Sequence, residues 1–257
     1  LKGELYHLTA KYREAHDHNK CYFFNPMDEN TQDFYNPFFY VSGNPEKRVD
    51  DIMIIAEPLI PETKLGEGFW YQSSRELFIL LSLFLLETQG SATLADIYDL
   101  SKKKNLDVYL SKSIIEAEKK YTDAKEKKIK NNEKIEFTYS MKMMAQNSAS
   151  FSGAHEETRK NVLMDFHSRM IALMSHSIRT ATSKNTFDLR DLRRKKMSIY
   201  IHIPPSSKKL LSPILTVFWA QVTHLLTQKE PDIEDEPHAV LCLLDEFCMI
   251  DKIDRIL

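Results

Sequence analysis

Residues 197–247 constrain most tightly what this chain can fold into. Met197–Ile203 (Met-Ser-Ile-Tyr-Ile-His-Ile) reads as a buried strand closed by Pro204-Pro205. Ser206–Gln228 follows as a helix, with Leu211, Ile214, Phe218, Val222 and Leu225 spaced to face a sheet. After the acidic loop Glu230–Glu236, Val240–Leu244 places five apolar residues in a row, as expected of a strand buried on both faces. Strand, helix and strand of these lengths make a right-handed βαβ unit, so the fold class expected is α/β with a mostly parallel sheet.

Asp245 and Glu246 stand where the second of these strands would emerge at its C-terminal edge. Open α/β sheets bind ligands at that edge. From the octapeptide Val240–Phe247 alone, two readings are open. It is either a core strand ending in two solvated carboxylates, or half of a nucleotide-hydrolysing site. In the second case the first carboxylate serves Mg²⁺ and the second positions or deprotonates the attacking water. The strand and crossover helix before it add weight to that second reading. Against it, the sequence contains no Gly-x-x-x-x-Gly-Lys-Ser/Thr, the loop whose backbone N–H groups and Lys cradle phosphates.

The first part of the chain also has α/β character. Residues 4–15 carry Leu5, Leu8, Tyr12 and Ala15 at helical spacing, and Lys20–Phe24 gives a short apolar strand ended by Asn25-Pro26. Helix then strand supposes another strand before residue 1. Residues 25–45 hold Asn25-Pro26, Asn36-Pro37 and Asn44-Pro45 and read as loop, aromatic enough to pack down on the sheet.

Between about 46 and 182 the pattern turns helical. Arg48–Ala56 reads as a helix stopped before Pro58 and Pro61, and Phe69–Thr88 as a long helix apolar nearly all round. Its run Leu77–Leu86 is far short of the roughly 20 apolar residues a membrane span needs, so a core helix is expected. Thr93–Asp96 resembles a capped start for a helix through Leu100. Lys102–Lys134 holds eleven Lys against six acidic residues, and Arg159–Ile178 reads as one amphipathic helix. Three segments follow: 1–62 as a first part of the sheet domain, 63–182 as an inserted all-helical domain, and 183–257 as the return to the sheet.

Other candidate sites carry less. His16, His18 and Cys21 fit no standard zinc spacing and read as a polar helix-to-strand turn. His202, alternating with Tyr200, reads as a strand histidine. The Lys-rich run could touch nucleic acid or an acidic partner, although its mixed signs suit a solvated helix. Arg190, Arg193 and Arg194 could meet phosphate, a neighbouring subunit or the acidic loop 230–236. The formal net charge of −2 argues against a general electrostatic grip on nucleic acid. Cys21, Cys242 and Cys248, without CxxC spacing, favour a reducing compartment.

Taken together these residues resemble the type IV secretion coupling proteins, the TraG/VirD-type ATPases of conjugation and effector export. Lys2-Gly3-Glu4-Leu5 with Leu8-Thr9 resembles the family's Asp-x-Lys-Gly-Glu segment, with the Asp cut off. Phe24-Asn25-Pro26 and Tyr35-Asn36-Pro37-Phe38 resemble its paired Asn/Asp-Pro loops. Phe69-Trp70 with Arg75-Glu76-Leu77 resembles the helix that opens its all-helical domain, with Ser74 where Ala is usual. Phe187-Asp188-Leu189, Ser198–Ile201 and Val240–Phe247 follow in the family's order, while Cys248-Met249 and Asp251 depart from it.

The resemblance implies a RecA-like P-loop NTPase motor domain with an inserted all-helical domain, here without its first strand and phosphate loop. It implies ATP and Mg²⁺ as cofactors, with Asp245 holding Mg²⁺ through water and Glu246 activating the attacking water. It also implies a homo-hexamer at the cytoplasmic face of the bacterial inner membrane, anchored by an N-terminal segment outside these residues. Its expected partners are relaxase–DNA complexes, effector proteins and adaptors, secretion channel components and DNA. Two alternatives are another RecA-like translocase of the FtsK or VirB-type ATPase group, and a non-catalytic helical substrate-binding module.

Overall fold

The structure is a computed structural model describing residues 3–62, 68–126 and 136–243. It divides into two compact units, Leu1–Phe39 with Ile171–Leu257, and Tyr40–Met170. Relative to the expected boundaries, residues 40–62 go with the helices and 171–182 with the strands.

The first unit is layered. Helix α1 (Glu4–Asp17) leads into strand β1 (Lys20–Phe24), which pairs in parallel with β2 (Met197–Ile201), Tyr22 opposite Ile199. Side chains alternate across a strand, so the two faces of β1 bury different partners. On one face Phe23 stacks on Tyr6 of α1 at 4.7 Å, and Tyr6 meets Tyr200 edge-on at 5.4 Å. On the other, Phe24 lies among Tyr35, Phe187 and Phe218, with ring centroids 6.0–6.5 Å away. Phe218 belongs to α9 (Lys208–Thr227), whose Leu211, Ile214, Phe218 and Val222 are buried as their spacing predicts. By length and composition this helix could cross a membrane. Here its apolar side serves the aromatic core.

Gly3 shows why the Lys-Gly-Glu segment needs its glycine. Its φ is +74°, and a Cβ there would sit 2.9 Å from the Phe23 ring. Only a residue without a side chain starts α1 this close to the strand. The stripe read from the sequence, however, faces outward: Leu5, Leu8 and Tyr12 are exposed, while Ala10 is buried. Tyr6 and Thr9 hold the inner side, Thr9 sharing a 2.7 Å hydrogen bond with the Tyr200 hydroxyl.

The loop after β1 packs down as expected. Asn25 and Asn36 each accept the N–H two residues on, from Met27 at 3.2 Å and Phe38 at 3.0 Å. Asn side chains thus build the turns that the following Pro pre-sets. The buried Tyr35 hydroxyl donates to Gln221, whose amide donates to the Pro37 carbonyl at 2.9 Å. Asp33 accepts the Phe23 N–H at 2.6 Å on the edge of β1 away from β2.

Two expectations in this unit are corrected. β2 is half-buried along its length rather than fully buried. Residues 240–243, the described part of the third expected strand, run without strand pairing, and Leu241 and Leu243 are 83% and 73% exposed. A strand apolar on both faces needs a ladder neighbour and a layer on each side. The described sheet has two strands, and at Phe23 the Asp33 carboxylate takes the outer edge of β1.

The second unit is helical: α2 (Arg48–Leu59), α3 (Gly68–Gln89), α4 (Leu94–Ser101), α5 (Leu106–Glu126), α6 (Tyr139–Gly153) and α7 (Glu156–Arg169). α3 is its axis, burying Leu77, Phe78, Leu80, Leu81, Leu83 and Phe84 and packing on α2, α4, α5, α6 and α7. Pro58 lies inside the last turn of α2, one turn beyond the expected stop, and the Ile60 N–H still bonds Ala56 at 2.9 Å. α4 opens on a full capping box between Thr93 and Asp96. The single helix expected over 159–178 is three pieces: α7, a tight turn at Ile171–Met174, and α8 (His176–Ala181), which belongs to the first unit.

Candidate functional site

Asp245 and Glu246 lie outside the described residues, as does Cys248, so the site is built from what leads to them. β2, α9 and the segment entering at 237 meet at one edge of the layered unit. In a βαβ arrangement the start of the first strand, the end of the helix and the start of the next segment share that edge.

At that edge Glu236 is an ion-pair hub, its side chain 9% exposed. Lys229, two residues past α9, approaches it at 3.3 Å; Arg194 and Arg193, just before β2, at 3.6 and 4.0 Å. Backbone bonds reinforce the charge contacts. The Glu236 N–H donates to Asp232 at 2.6 Å, and the His238 N–H to the Arg193 carbonyl at 3.0 Å. The acidic loop and the arginine cluster, legible separately in the sequence, thus meet. The choice of Glu236 among five acidic residues of 230–236 was not legible, because only burial singles it out.

Arg190 goes elsewhere. It grips Asp188 through two guanidinium nitrogens at 2.8–3.0 Å and lies over the Phe39 ring at 4.9 Å. Burial raises the Asp188 pKa, but hydrogen bonds from the Arg190 side chain and N–H outweigh it and hold the carboxyl below its usual range.

His16, His18 and Cys21 do not converge. His16 stacks on Tyr12 at 4.1 Å, His18 adopts φ +54° as the C-cap of α1, and the Cys21 thiol reaches the Ala10 carbonyl at 3.8 Å. Burial pushes that thiol up. Among the described residues no group of three His, Cys, Asp or Glu could hold a metal ion. His202 stacks on Phe23 at 6.1 Å, and burial lowers its pKa.

In the helical unit the described part of the Lys-rich run is mainly α5, which buries Leu106, Leu110 and Ile114 and leaves Lys112, Lys119, Lys120 and Lys125 exposed, while Lys102 and Lys103 lie over Tyr98 and Tyr109 at 4.0 and 3.7 Å; residues 127–134 of the run lie outside the described residues. A polar network gathers where α2 ends and α3 begins. The buried Ser74 donates to Asp165 at 2.6 Å, and Arg169 to the same carboxylate oxygen at 2.7 Å. Arg75 caps the Ile60 carbonyl at 2.7 Å, and Arg169 that of Pro61 at 3.3 Å. Burial disfavours the charged Asp165, yet the bonds from Arg169 and Ser74 hold its carboxyl low. Ser74, where the resemblance leads Ala to be expected, therefore has in Asp165 a partner that Ala would lack.

Comparison with known proteins fits this geometry. A model of the family described as "Type IV secretory system Conjugative DNA transfer" matches residues 1–257. VirD4 of Agrobacterium fabrum is 28% identical over 262 residues, covering 100% of this chain and 35% of that protein. TraG of Escherichia coli is 26% identical over 273 residues, covering 99% of this chain and 40% of that protein. The chain thus spans well under half the length of these curated relatives. The bacterial conjugative coupling protein TrwBΔN70, solved in complex with sulphate, shares the fold with a TM-score of 0.52 at 12% identity, over 86% of this chain and 49% of that one. Matched along its whole length, the chain belongs to the type IV secretory system conjugative DNA transfer family.

Proposed function

We propose that this chain is part of a coupling protein, an ATP-driven motor that recruits DNA–protein or effector substrates and passes them to a secretion or conjugation channel. The family match over residues 1–257 carries the reading. The α/β/α layering of the first unit and the parallel β1–β2 pair support a RecA-like motor, with the helical unit engaging relaxase–DNA complexes or effectors. We further propose a homo-hexamer at the cytoplasmic face of the inner membrane.

The donor chemistry of Asp245 and Glu246 suits a hard divalent cation such as Mg²⁺. When bound, Mg²⁺ supplies charge neutralisation at the transferring phosphate. Asp245 would hold the ion through water, and Glu246 would orient the attacking water and accept its proton. The phosphate-gripping loop is not among these 257 residues. The test therefore uses a polypeptide that also carries such a loop. Glu246→Gln should lower ATP turnover roughly 10²-fold or more. Undiminished turnover would remove Glu246 from its role.

A further inference from the structure

We propose that the outward face of α5 is a docking surface for an acidic amphipathic helix. The inference deepens the reading of the helical unit as the part that engages substrates, and rests on that reading for the partner's role as cargo.

α5 carries an inner and an outer aliphatic set. Leu106, Leu110 and Ile114 are at most 4% exposed and belong to the core, whereas Val108 and Ile115 are 64% and 65% exposed. Val108 and Ile115 stand two turns apart, about 10 Å along the axis. Lys112 and Lys119 follow them by four residues each, and both are exposed. At about 100° per residue the four side chains lie within about 60° of one another, in one stripe. An apolar position repeating every seven residues with a charge beside it is the pattern by which one helix receives another.

Charge selects the partner. Between 102 and 125 seven lysines are exposed against two acids, Glu116 and Asp123, which lie to one side of the stripe. Asp107 is turned to Arg159 at 3.2 Å, and Glu118 is half-buried. Carboxylates on a partner helix therefore meet an excess of positive charge, while its apolar positions cover Val108 and Ile115. A nucleic-acid strand fits the same face less well. Lys102, Lys103 and Lys125 already lie over the rings of Tyr98, Tyr109 and Tyr121, at 4.0, 3.7 and 5.5 Å, where bases would stack. The two aliphatic side chains within the stripe offer phosphates nothing.

The probe is a labelled peptide of three heptads, with Leu at the first and fourth positions and Glu at the fifth and seventh, whose like charges oppose self-pairing. Titrated with the 257-residue chain and followed by fluorescence anisotropy, it should bind with a Kd of about 10–100 μM, the weak end expected of a single helix face. Ile115→Ser should weaken binding about tenfold, with Val108→Ser as the second apolar variant. Lys112→Glu combined with Lys119→Glu should weaken it at least as much, and should gain binding to a peptide carrying Lys in place of Glu. These four side chains are exposed, so thermal melting of every variant should match the parent chain.

No binding at about 1 mM peptide, equal binding of a scrambled peptide of the same composition, or affinity indifferent to both apolar variants overturns the docking surface. A single-stranded oligonucleotide that binds more tightly than the peptide, and loses affinity in the lysine variant alone, assigns the lysines to phosphate and overturns it as well. The peptide titration involves no nucleotide, so its failure alongside Glu246-dependent turnover leaves the motor reading standing. Turnover insensitive to Glu246→Gln, with the peptide bound as expected, removes the motor reading and the partner's role as cargo but upholds the docking surface.

Discussion

The layered unit packs four buried rings against one another, whereas the helical unit mixes buried rings such as Phe78, Phe84 and Phe166 with leucines threaded by a few buried hydroxyls. Phe24, Tyr35, Phe187 and Phe218 pack edge-on and stacked around one end of β1. α3 instead buries Phe78 and Phe84 among Leu77, Leu80, Leu81, Leu83 and Leu85, with Ser74 and Ser82 fully buried beside them. Ser82 returns its hydroxyl to the Phe78 carbonyl at 2.7 Å, a bond local to the helix. Ser74 reaches across to α7. Aromatic pairs are geometrically selective, so the first unit is specified by ring shape. The second is specified by which helix can satisfy a buried polar group.

The largest break in that comparison is Phe24→Ala, which empties the centre of the ring cluster. It should destabilise by about 3–5 kcal/mol in chemical denaturation. Leu80→Ala on α3 should cost about 2–5 kcal/mol, the spread reflecting how far neighbouring aliphatics collapse into the gap. A smaller loss at Phe24 than at Leu80 would show that the ring cluster tolerates voids, against the distinction drawn here.

Next comes the polar bridge of the helical unit. Ser74→Ala should cost about 1 kcal/mol, and Asp165→Ala about 1–3 kcal/mol, because it strands the Arg169 guanidinium. Since Asp165 is held below its usual range when folded, its contribution is present above the unfolded carboxyl's pKa. It is lost as pH falls through the folded value. Asp165→Ala should therefore flatten the acid limb of a plot of Tm against pH. An unaltered limb would deny the bridge its role.

In the layered unit Gly3→Ala should cost about 1–2 kcal/mol, for the left-handed backbone and the contact with Phe23 together. The smallest effect concerns His167, which meets Ser101 at 2.9 Å. Burial, with help from Lys102, lowers its pKa. Folding then favours the neutral ring, so stability should fall modestly as pH drops below the unfolded histidine value. His167→Gln should remove that slope.

The elements themselves were largely legible. The short strands 20–24 and 197–201, the helix after Pro205 and the Thr93 cap follow from period, turn residues and capping chemistry. α6 was not, because Tyr139–Gly153 has no leucine stripe; it buries Ser140, Met141, Met144 and Ser148 against α3 and α5. Small residues that allow close approach look like loop in a sequence. The outward turn of Leu5, Leu8 and Tyr12 was missed for a related reason: periodicity marks an apolar face, and contact between Tyr6, Thr9 and the sheet decided which face went in. At the candidate site, Asp245-Glu246 was conspicuous, whereas Glu236 looked like one acid in a solvated loop.

The claim that the layered unit carries nucleotide chemistry is tested most directly by separating binding from turnover. In a polypeptide carrying a phosphate-binding loop, Glu246→Gln should still bind ATP in equilibrium titration, more tightly with Mg²⁺ than without, while hydrolysis falls away. Hydrolysis persisting at the original rate, or ATP affinity indifferent to both Mg²⁺ and Asp245→Asn, would contradict the account.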